Sequence, residues 1–207
     1  MKRIWMTSLA AVAAIAAAAV AGHAQEEEGI PKAAADAFDI RMFAGAPGNK
    51  AYACFVRRYD ADHLARHPRQ KVSTMKLLVT AEIPPDQTTT NYSFRLGARF
   101  RHRPGDFDSS GDCRHVVAED TGKEIRLGCG VDCDGGGIDV ALSKDDKAAT
   151  VRLERITVWQ RNKPDDDGSD ALMAGADDKI FRLDRAESRD CAELVTDRKE
   201  LAVIRHK

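Results

Sequence analysis

A short acidic segment has the residue types and the spacing of a calcium-binding loop. Asp106, Asp108, Ser110 and Asp112 alternate with other residues, and Gly111 stands where a sharp turn is needed. Oxygen ligands at alternating positions are what a hard cation such as Ca²⁺ requires. The twelfth position of an EF-hand is a bidentate glutamate, and here it is a valine. We therefore predict an ordinary polar loop between strands and no cofactor, with a non-EF calcium site at Asp106, Asp108 and Asp112 as the alternative.

A glycine-rich segment, CGVDCDGGG, contains the second group of candidate residues. Gly135, Gly136 and Gly137 are consecutive, and such a run permits positive φ or the close approach of another backbone or a ligand. We predict that these three glycines contact a ligand. The Cys-x3-Cys spacing of Cys129 and Cys133 differs from the usual zinc pairs, so a metal site shared with a nearby histidine is the less favoured interpretation.

The chain has five cysteines, at positions 54, 113, 129, 133 and 191. In an oxidising compartment, cysteines form disulfides more often than metal sites. Because five is an odd number, at least one cysteine has no partner within the chain. We predict that Cys191 ties the C-terminal tail to the domain and that Cys54 is a free thiol in the first strand.

A hairpin pattern suggests which cysteine pairs with Cys113. If the turn pairs Asp120 with Lys123, Cys113 falls opposite residue 130. It then lies next to both Cys129 and Cys133, and we predict that it bonds one of them.

Arginines follow one face of the clearest predicted strand, residues 91–102. Arg95, Arg99 and Arg101 occupy alternate positions, opposite to an apolar face made of every second residue from Tyr92. The favoured interpretation is a solvated sheet face whose arginines pair with acidic residues of neighbouring strands. The alternative is an anion-binding stripe for an anionic envelope component.

Standard enzyme motifs are absent from the sequence, which has no G-x-S-x-G, no H-E-x-x-H and no P-loop. No catalytic residue is predicted. A hydrolase with a non-standard site would require a cleft that brings His102 or His115 against an aspartate or a serine. We rank a non-enzymatic binding module for a small ligand or an envelope component first, a structural envelope protein second and an enzyme last.

Eight extended segments position these residues. Apolar and polar side chains alternate along most of them, and tight turns join consecutive segments. In the segment 149–160 the apolar pattern shifts by one residue near Arg155, which predicts a β-bulge. The pattern favours an all-β, antiparallel, up-and-down barrel-like domain that loosely resembles the calycins, with a two-sheet sandwich as the alternative and little helix. We also predict a short helix at 32–38 and, in the tail, a strand at 201–204.

The N-terminus has the layout of a secretory signal peptide. Lys2 and Arg3 precede an apolar run, and Gly22-His23-Ala24 ends it with small residues at the cleavage positions. We predict cleavage after Ala24, a flexible lead-in over 25–50, and one β-rich domain over 51–207 with an acidic loop at 162–178. The expected location is the periplasm of a Gram-negative bacterium or the secreted fraction.

Charge and hydropathy limit the partners. The net charge is −1, which gives no general attraction to nucleic acid or to anionic membranes. No later segment reaches the length of an apolar membrane span. A small molecule or an anionic envelope component is therefore the expected partner.

Overall fold

The computed structural model describes residues 29–161, 163, 170–173, 175 and 177–206. Strands form the largest structural class among these residues, well ahead of helices, and the predicted all-β class is confirmed. The strands are β1 Lys50–Arg58, β2 Val72–Glu82, β3 Asn91–Phe100, β4 Phe107–Val117, β5 Ile125–Gly130, β6 Gly136–Leu142, β7 Ala148–Gln160, β8 Asp170–Met173 and β9 Ile180–Ala186. The helices are α1 Lys32–Met42, α2 Ala61–Arg66, the 3-10 helix Ser188–Leu194 and α3 Arg198–Arg205. The predicted signal peptide lies outside the described residues, as does most of the first half of the acidic loop predicted at 162–178. The second half of that loop prediction is wrong in part, because Asp170–Met173 form β8 and pair with β7.

All nine strands belong to one antiparallel sheet. Strands β1 to β6 pair in sequence order, and β9 joins β1 to β7. Because β6 also pairs with β7, the sheet closes on itself as a ring. The side chains that point into the ring form the main hydrophobic core. A single ring rather than two separate sheets positions every candidate site described below.

The alternation predicted for β3 is confirmed by burial. Phe94, Leu96 and Ala98 are buried on the inner face, and Tyr92 and Phe100 pack against the same core. The bulge predicted in β7 is also present, since Ile138 pairs with Leu153 whereas Gly136 pairs with Ile156. Three residues of β7 therefore match two of β6, and the apolar side chains on both sides of the bulge point inward.

A second, smaller core lies on the outer face of β1 and β2. There Cys54 and Leu78 pack against Leu194, Val195 and Ile204 from the C-terminal segment. A disulfide joins Cys54 to Cys191. The prediction that Cys191 ties the tail to the domain is therefore confirmed, whereas the prediction that Cys54 is a free thiol is wrong. Cys54 points outward beneath the tail rather than into the ring.

The tail itself is helical where a strand was predicted at 201–204. The Asp197 side chain accepts a hydrogen bond from the Glu200 backbone N–H at 2.8 Å and so caps the N-terminus of α3. This Asp-x-x-Glu pattern is a helix-start signal. The helix buries Ile204 and Glu200 against the sheet. Ile204, an apolar residue of the predicted strand, is therefore buried by a helix instead.

Part of the predicted lead-in is packed against the ring. Helix α1 covers the expected short helix at 32–38 and continues to Met42, and both Phe38 and Met42 are buried in the main core. The Arg185 guanidinium in β9 donates to the backbone carbonyls of Met42 and Arg41, both at 2.9 Å. Since α1 also contacts β3 and β4, it spans one end of the ring.

The second disulfide links neighbouring strands. Cys113 and Cys129 are directly opposite each other in β4 and β5 and are bonded. The prediction that Cys113 bonds one of two nearby cysteines is confirmed. The predicted register is wrong by one residue, because the turn begins with the Ala118 N–H bonded to the Glu124 carbonyl. Cys133 is the unpaired cysteine and is exposed in the turn between β5 and β6.

The two disulfides indicate an oxidising, extracellular type of compartment. Among the described residues, no helix has the length and apolar character that crossing a bilayer requires.

Candidate functional site

A groove of about 1020 Å³ runs along the outer face of β4 to β7. Its base follows β5, where two outward positions, Gly128 and Gly130, carry no side chain. Strand β4 forms one wall, and β6 with the bulged part of β7 forms the other. A sheet face normally presents a side chain at every second residue. The missing side chains of β5 therefore create the depression.

The groove is open above Gly130. A Cβ atom built at this position would have no heavy atom within 4 Å, so the space above it is free. At Gly128 the same construction places Asp139 Oδ1 at 3.6 Å and a Val116 methyl carbon at 2.9 Å. The side chains of Val116 on β4 and Asp139 on β6 therefore extend over the base of the groove from opposite walls. The groove is thus open at Gly130 and narrower at Gly128.

Arg126 forms one boundary of the groove and is held by acidic neighbours. Its side chain is only 5 % exposed, and its guanidinium lies 2.5 Å from Glu124 Oε2 and 2.9 Å from Asp120 Oδ1. Burial alone would lower the pKa of Arg126, but the hydrogen bonds to Glu124 and Asp120 outweigh burial and raise it. Arg126 is therefore charged, its side chain is held in place, and its charge is balanced by Glu124 and Asp120 within the protein.

Other charged residues that line the groove have no hydrogen-bond or ion-pair partner within the described part of the chain. On the β4 wall, Asp112 and Arg114 are exposed and make no hydrogen bond or ion pair there. The same holds for Asp139 on the opposite wall and for Asp132 in the turn after β5. These groups are available to a bound molecule.

No known family model, curated protein or solved structure matches this chain.

The run of three glycines predicted to contact a ligand has a packing role. A Cβ at Gly137 would lie 2.2 Å from the Cys129 carbonyl oxygen, and a Cβ at Gly136 would lie 2.1 Å from the Arg155 carbonyl oxygen. Gly136 also has a φ of +75°, which favours glycine. Close approach of neighbouring backbones therefore explains both residues. Gly136 and Gly137 line the groove, but Gly135 packs against Val131 and is not among its lining residues.

The predicted anion-binding arginines are engaged within the protein. Arg95 is paired with Glu200 of α3 at 2.9 Å, and Arg99 with Asp106 at 2.5 Å. Arg101 donates to the backbone carbonyls of Leu64 and His67 next to α2. The favoured interpretation, in which these arginines have partners within the protein, describes the structure better than a free cationic stripe, although the partners of Arg101 are backbone carbonyls.

The predicted calcium residues lie along a strand rather than in a loop. Residues 107–112 form the first half of β4, so the loop prediction is wrong. Arg99 binds Asp106, and Arg161 binds both carboxylate oxygens of Asp108 at 2.7 and 2.8 Å. The hydrogen bond from Arg99 lowers the pKa of Asp106 more than burial raises it. Asp112 lies further along, on the groove wall. Among the described residues, no group of three or more metal-ligating side chains is arranged around one point.

One predicted histidine does meet an aspartate. His115 Nε2 in β4 lies 2.9 Å from Asp39 Oδ1 in α1, and the Tyr92 hydroxyl donates to the other Asp39 oxygen at 2.5 Å. Burial and this hydrogen bond raise the pKa of Tyr92. The group points into the ring beneath α1, and His115 is not a lining residue of the groove. His102 is exposed. The geometry serves the attachment of α1 rather than catalysis.

Sequence reasoning missed the residues that shape the groove, namely Gly128, Gly130 and Asp139. A signal was present, since Gly128 and Gly130 occupy alternate positions opposite to the apolar side chains of β5. Two glycines on one face of a strand predict a local depression on that face.

Proposed function

We propose that this protein is a non-enzymatic binding module whose ligand site is the groove above β5. The open base at Gly130 is the observation that carries the proposal, because it leaves room for a ligand against the backbone. A groove of about 1020 Å³ is at the upper end of the usual range for ligand sites. Its unpaired charged walls supply the polar groups that orient a ligand.

We further propose that the module acts outside the cytoplasm. The signal-peptide layout of residues 1–24, with cleavage after Ala24, and two disulfides support a periplasmic or secreted location in a Gram-negative bacterium. The in-order hairpins and the pairing of β6 with β7 support describing the ring as an up-and-down, barrel-like closure. A small molecule or a component of the cell envelope is the proposed ligand.

A nuclear magnetic resonance screen tests the groove directly. Amide signals of ¹⁵N-labelled protein are recorded against a panel of amino acids, short peptides, sugars, nucleotides and solubilised cell-wall fragments. We expect hits to shift the amides of Gly128, Gly130 and their neighbours on β4 and β6. If no compound shifts these amides, or if every hit maps elsewhere, the binding function is wrong and a structural envelope role is favoured.

Filling the groove provides the matched control. Gly130→Val places a side chain in the open space above β5, whereas Gly48→Val places one in open space in the loop before β1. We expect the panel hits to bind the Gly48 variant as they bind the wild type and to lose affinity for the Gly130 variant. Equal binding to both variants would contradict the proposal.

A further inference from the structure

The groove carries more unpaired negative than positive charge, and this excess indicates the class of its ligand. The carboxylates that line it without a hydrogen bond or ion pair to any described residue are Asp112, Glu119, Asp132, Asp139 and Glu154. The corresponding lining cations are Arg114 and Lys179. Arg126 is neutralised by Asp120 and Glu124, whereas Arg155 donates only to the uncharged Asp134 carbonyl at 2.6 Å and so remains a third uncompensated cation against five carboxylates. Arg152 lies 3.8 Å from Asp120.

The negative charge borders the open end of the groove. Asp112 is directly opposite Gly130 in the pairing of β4 with β5, and Asp132 follows Gly130 by two residues. Asp139 Oδ1 extends over the base at Gly128, one step further along the same face. A positively charged group placed above Gly130 therefore has carboxylates on both walls. Because these carboxylates are exposed, each attracts a cation only modestly, and the attraction comes from their combined charge.

The shape of the groove favours an extended ligand over a single small amine. The groove continues from Gly130 along β5 to Asp120 and across to Lys179. Successive outward residues of a strand, such as Asp112 and Arg114, lie roughly 7 Å apart. Alternate side chains of an extended peptide repeat at the same spacing. An extended chain lying along β5 therefore places alternate side chains beside successive wall residues, with a lysine matching Asp112 but not Arg114.

We propose that the groove binds an extended peptide segment that presents lysine side chains, with an ammonium group above Gly130. This inference rests on the proposed binding function and specifies its ligand. It differs from the anionic partner expected from the sequence, because the arginines that suggested an anion are engaged within the protein.

Titration of dye-labelled hexalysine, with hexaglutamate as the charge-reversed control, tests the inference by fluorescence anisotropy. We expect hexalysine to bind and hexaglutamate not to bind. The double variant Asp112→Asn with Asp139→Asn keeps the side-chain shapes and removes two carboxylates, so we expect about tenfold weaker binding of hexalysine. Gly130→Val should abolish binding, and a circular dichroism melt checks that this variant is folded.

A matched control variant distinguishes the effect of the groove carboxylates from the effect of the protein's net charge. Asp62→Asn with Asp86→Asn changes the net charge equally at exposed positions outside the groove, and should change hexalysine affinity by less than about twofold. The inference is overturned if this control weakens binding as much as the groove variant, if hexaglutamate binds as tightly, or if spermine binds more tightly than hexalysine. Should other panel compounds shift the groove amides while hexalysine does not bind, the ligand class is wrong and the binding function stands.

Discussion

Cys54 in β1 is bonded to Cys191 in the 3-10 helix, across 137 positions of the sequence. Both cysteines are almost completely buried, in the small core that the C-terminal segment forms on the outer face of the sheet. The bond thus fastens the last part of the chain to one of its first strands. The Cys113–Cys129 bond spans only 16 positions and joins two strands that already pair.

Removing the long-range disulfide should cost more stability than removing the short-range one. The chain-entropy model gives about 5 kcal/mol for a loop of this length and about 3 kcal/mol for a loop of 16 residues. We expect the Cys54→Ala, Cys191→Ala variant to lose correspondingly more free energy of unfolding in urea than the Cys113→Ala, Cys129→Ala variant. An equal or smaller loss would show that the C-terminal segment is held mainly by packing.

Asp39 should be the residue that holds α1 on the ring. Asp39→Ala leaves the Tyr92 hydroxyl and the His115 ring nitrogen without their buried partner, which should cost about 2–4 kcal/mol. Asp36→Ala is the control, since that carboxylate is 52 % exposed and pairs only with Lys32 in the same helix. Its loss should be within about 0.5 kcal/mol. Urea unfolding measures both, and equal losses would contradict the anchoring role.

Glu200 should make the attachment of α3 sensitive to acid. Burial raises the pKa of this carboxyl, but hydrogen bonds and charge from Arg95 and Lys50 outweigh burial, and the pKa in the folded protein is lowered. A lowered pKa means that the carboxylate stabilises the fold above about pH 5, near its unfolded-state pKa, and that this contribution is lost as the pH falls through the folded-state pKa.

The variant Glu200→Gln tests this dependence. We expect its melting temperature to lie below that of the wild type at pH 6 and the difference to shrink as the pH is lowered to 3. Glu187→Gln is the control, because that side chain is 60 % exposed and its removal should leave a small, constant difference. A difference for Glu200→Gln that stays constant from pH 6 to pH 3 would rule out the ionic contribution.

The strands were predictable because alternation is a local signal. In β3 the inward set from Tyr92 to Phe100 follows from every second residue being apolar, and the bulge in β7 follows from a break in that rule. The helices α2 and α3 were missed, although Asp60 and Asp197 each precede one and cap it with a side-chain hydrogen bond. Capping signals of this kind are weaker than a period-two pattern but were present in the sequence.

The pairing of distant segments was not predictable from local patterns. Cys54 was predicted to be a free thiol, and only the docking of the tail over the outer face of β1 brings Cys191 to it. The groove has the same origin, since it depends on which strands flank Gly130. A one-residue error in the hairpin register moved Cys113 opposite Gly130, where the structure places Asp112. A register error of one residue therefore puts Cys113, whose side chain faces the core, in the position of Asp112, whose side chain faces the groove.

The glycines of the β5–β6 hairpin should separate cleanly into packing and groove positions. At Gly137 an added Cβ would lie 2.2 Å from the Cys129 carbonyl oxygen, and backbone cannot yield as a flexible side chain does. We expect Gly137→Ala to cost about 1–3 kcal/mol or more in free energy of unfolding. At Gly130 the added methyl group meets no atom within 4 Å, so Gly130→Ala should stay within about 0.5 kcal/mol of the wild type. Parallel urea titrations measure the difference. Because both glycines line the groove, a large loss at Gly130 would mean that the space above β5 is not open in solution, and both the binding site and its proposed ligand would lose their basis.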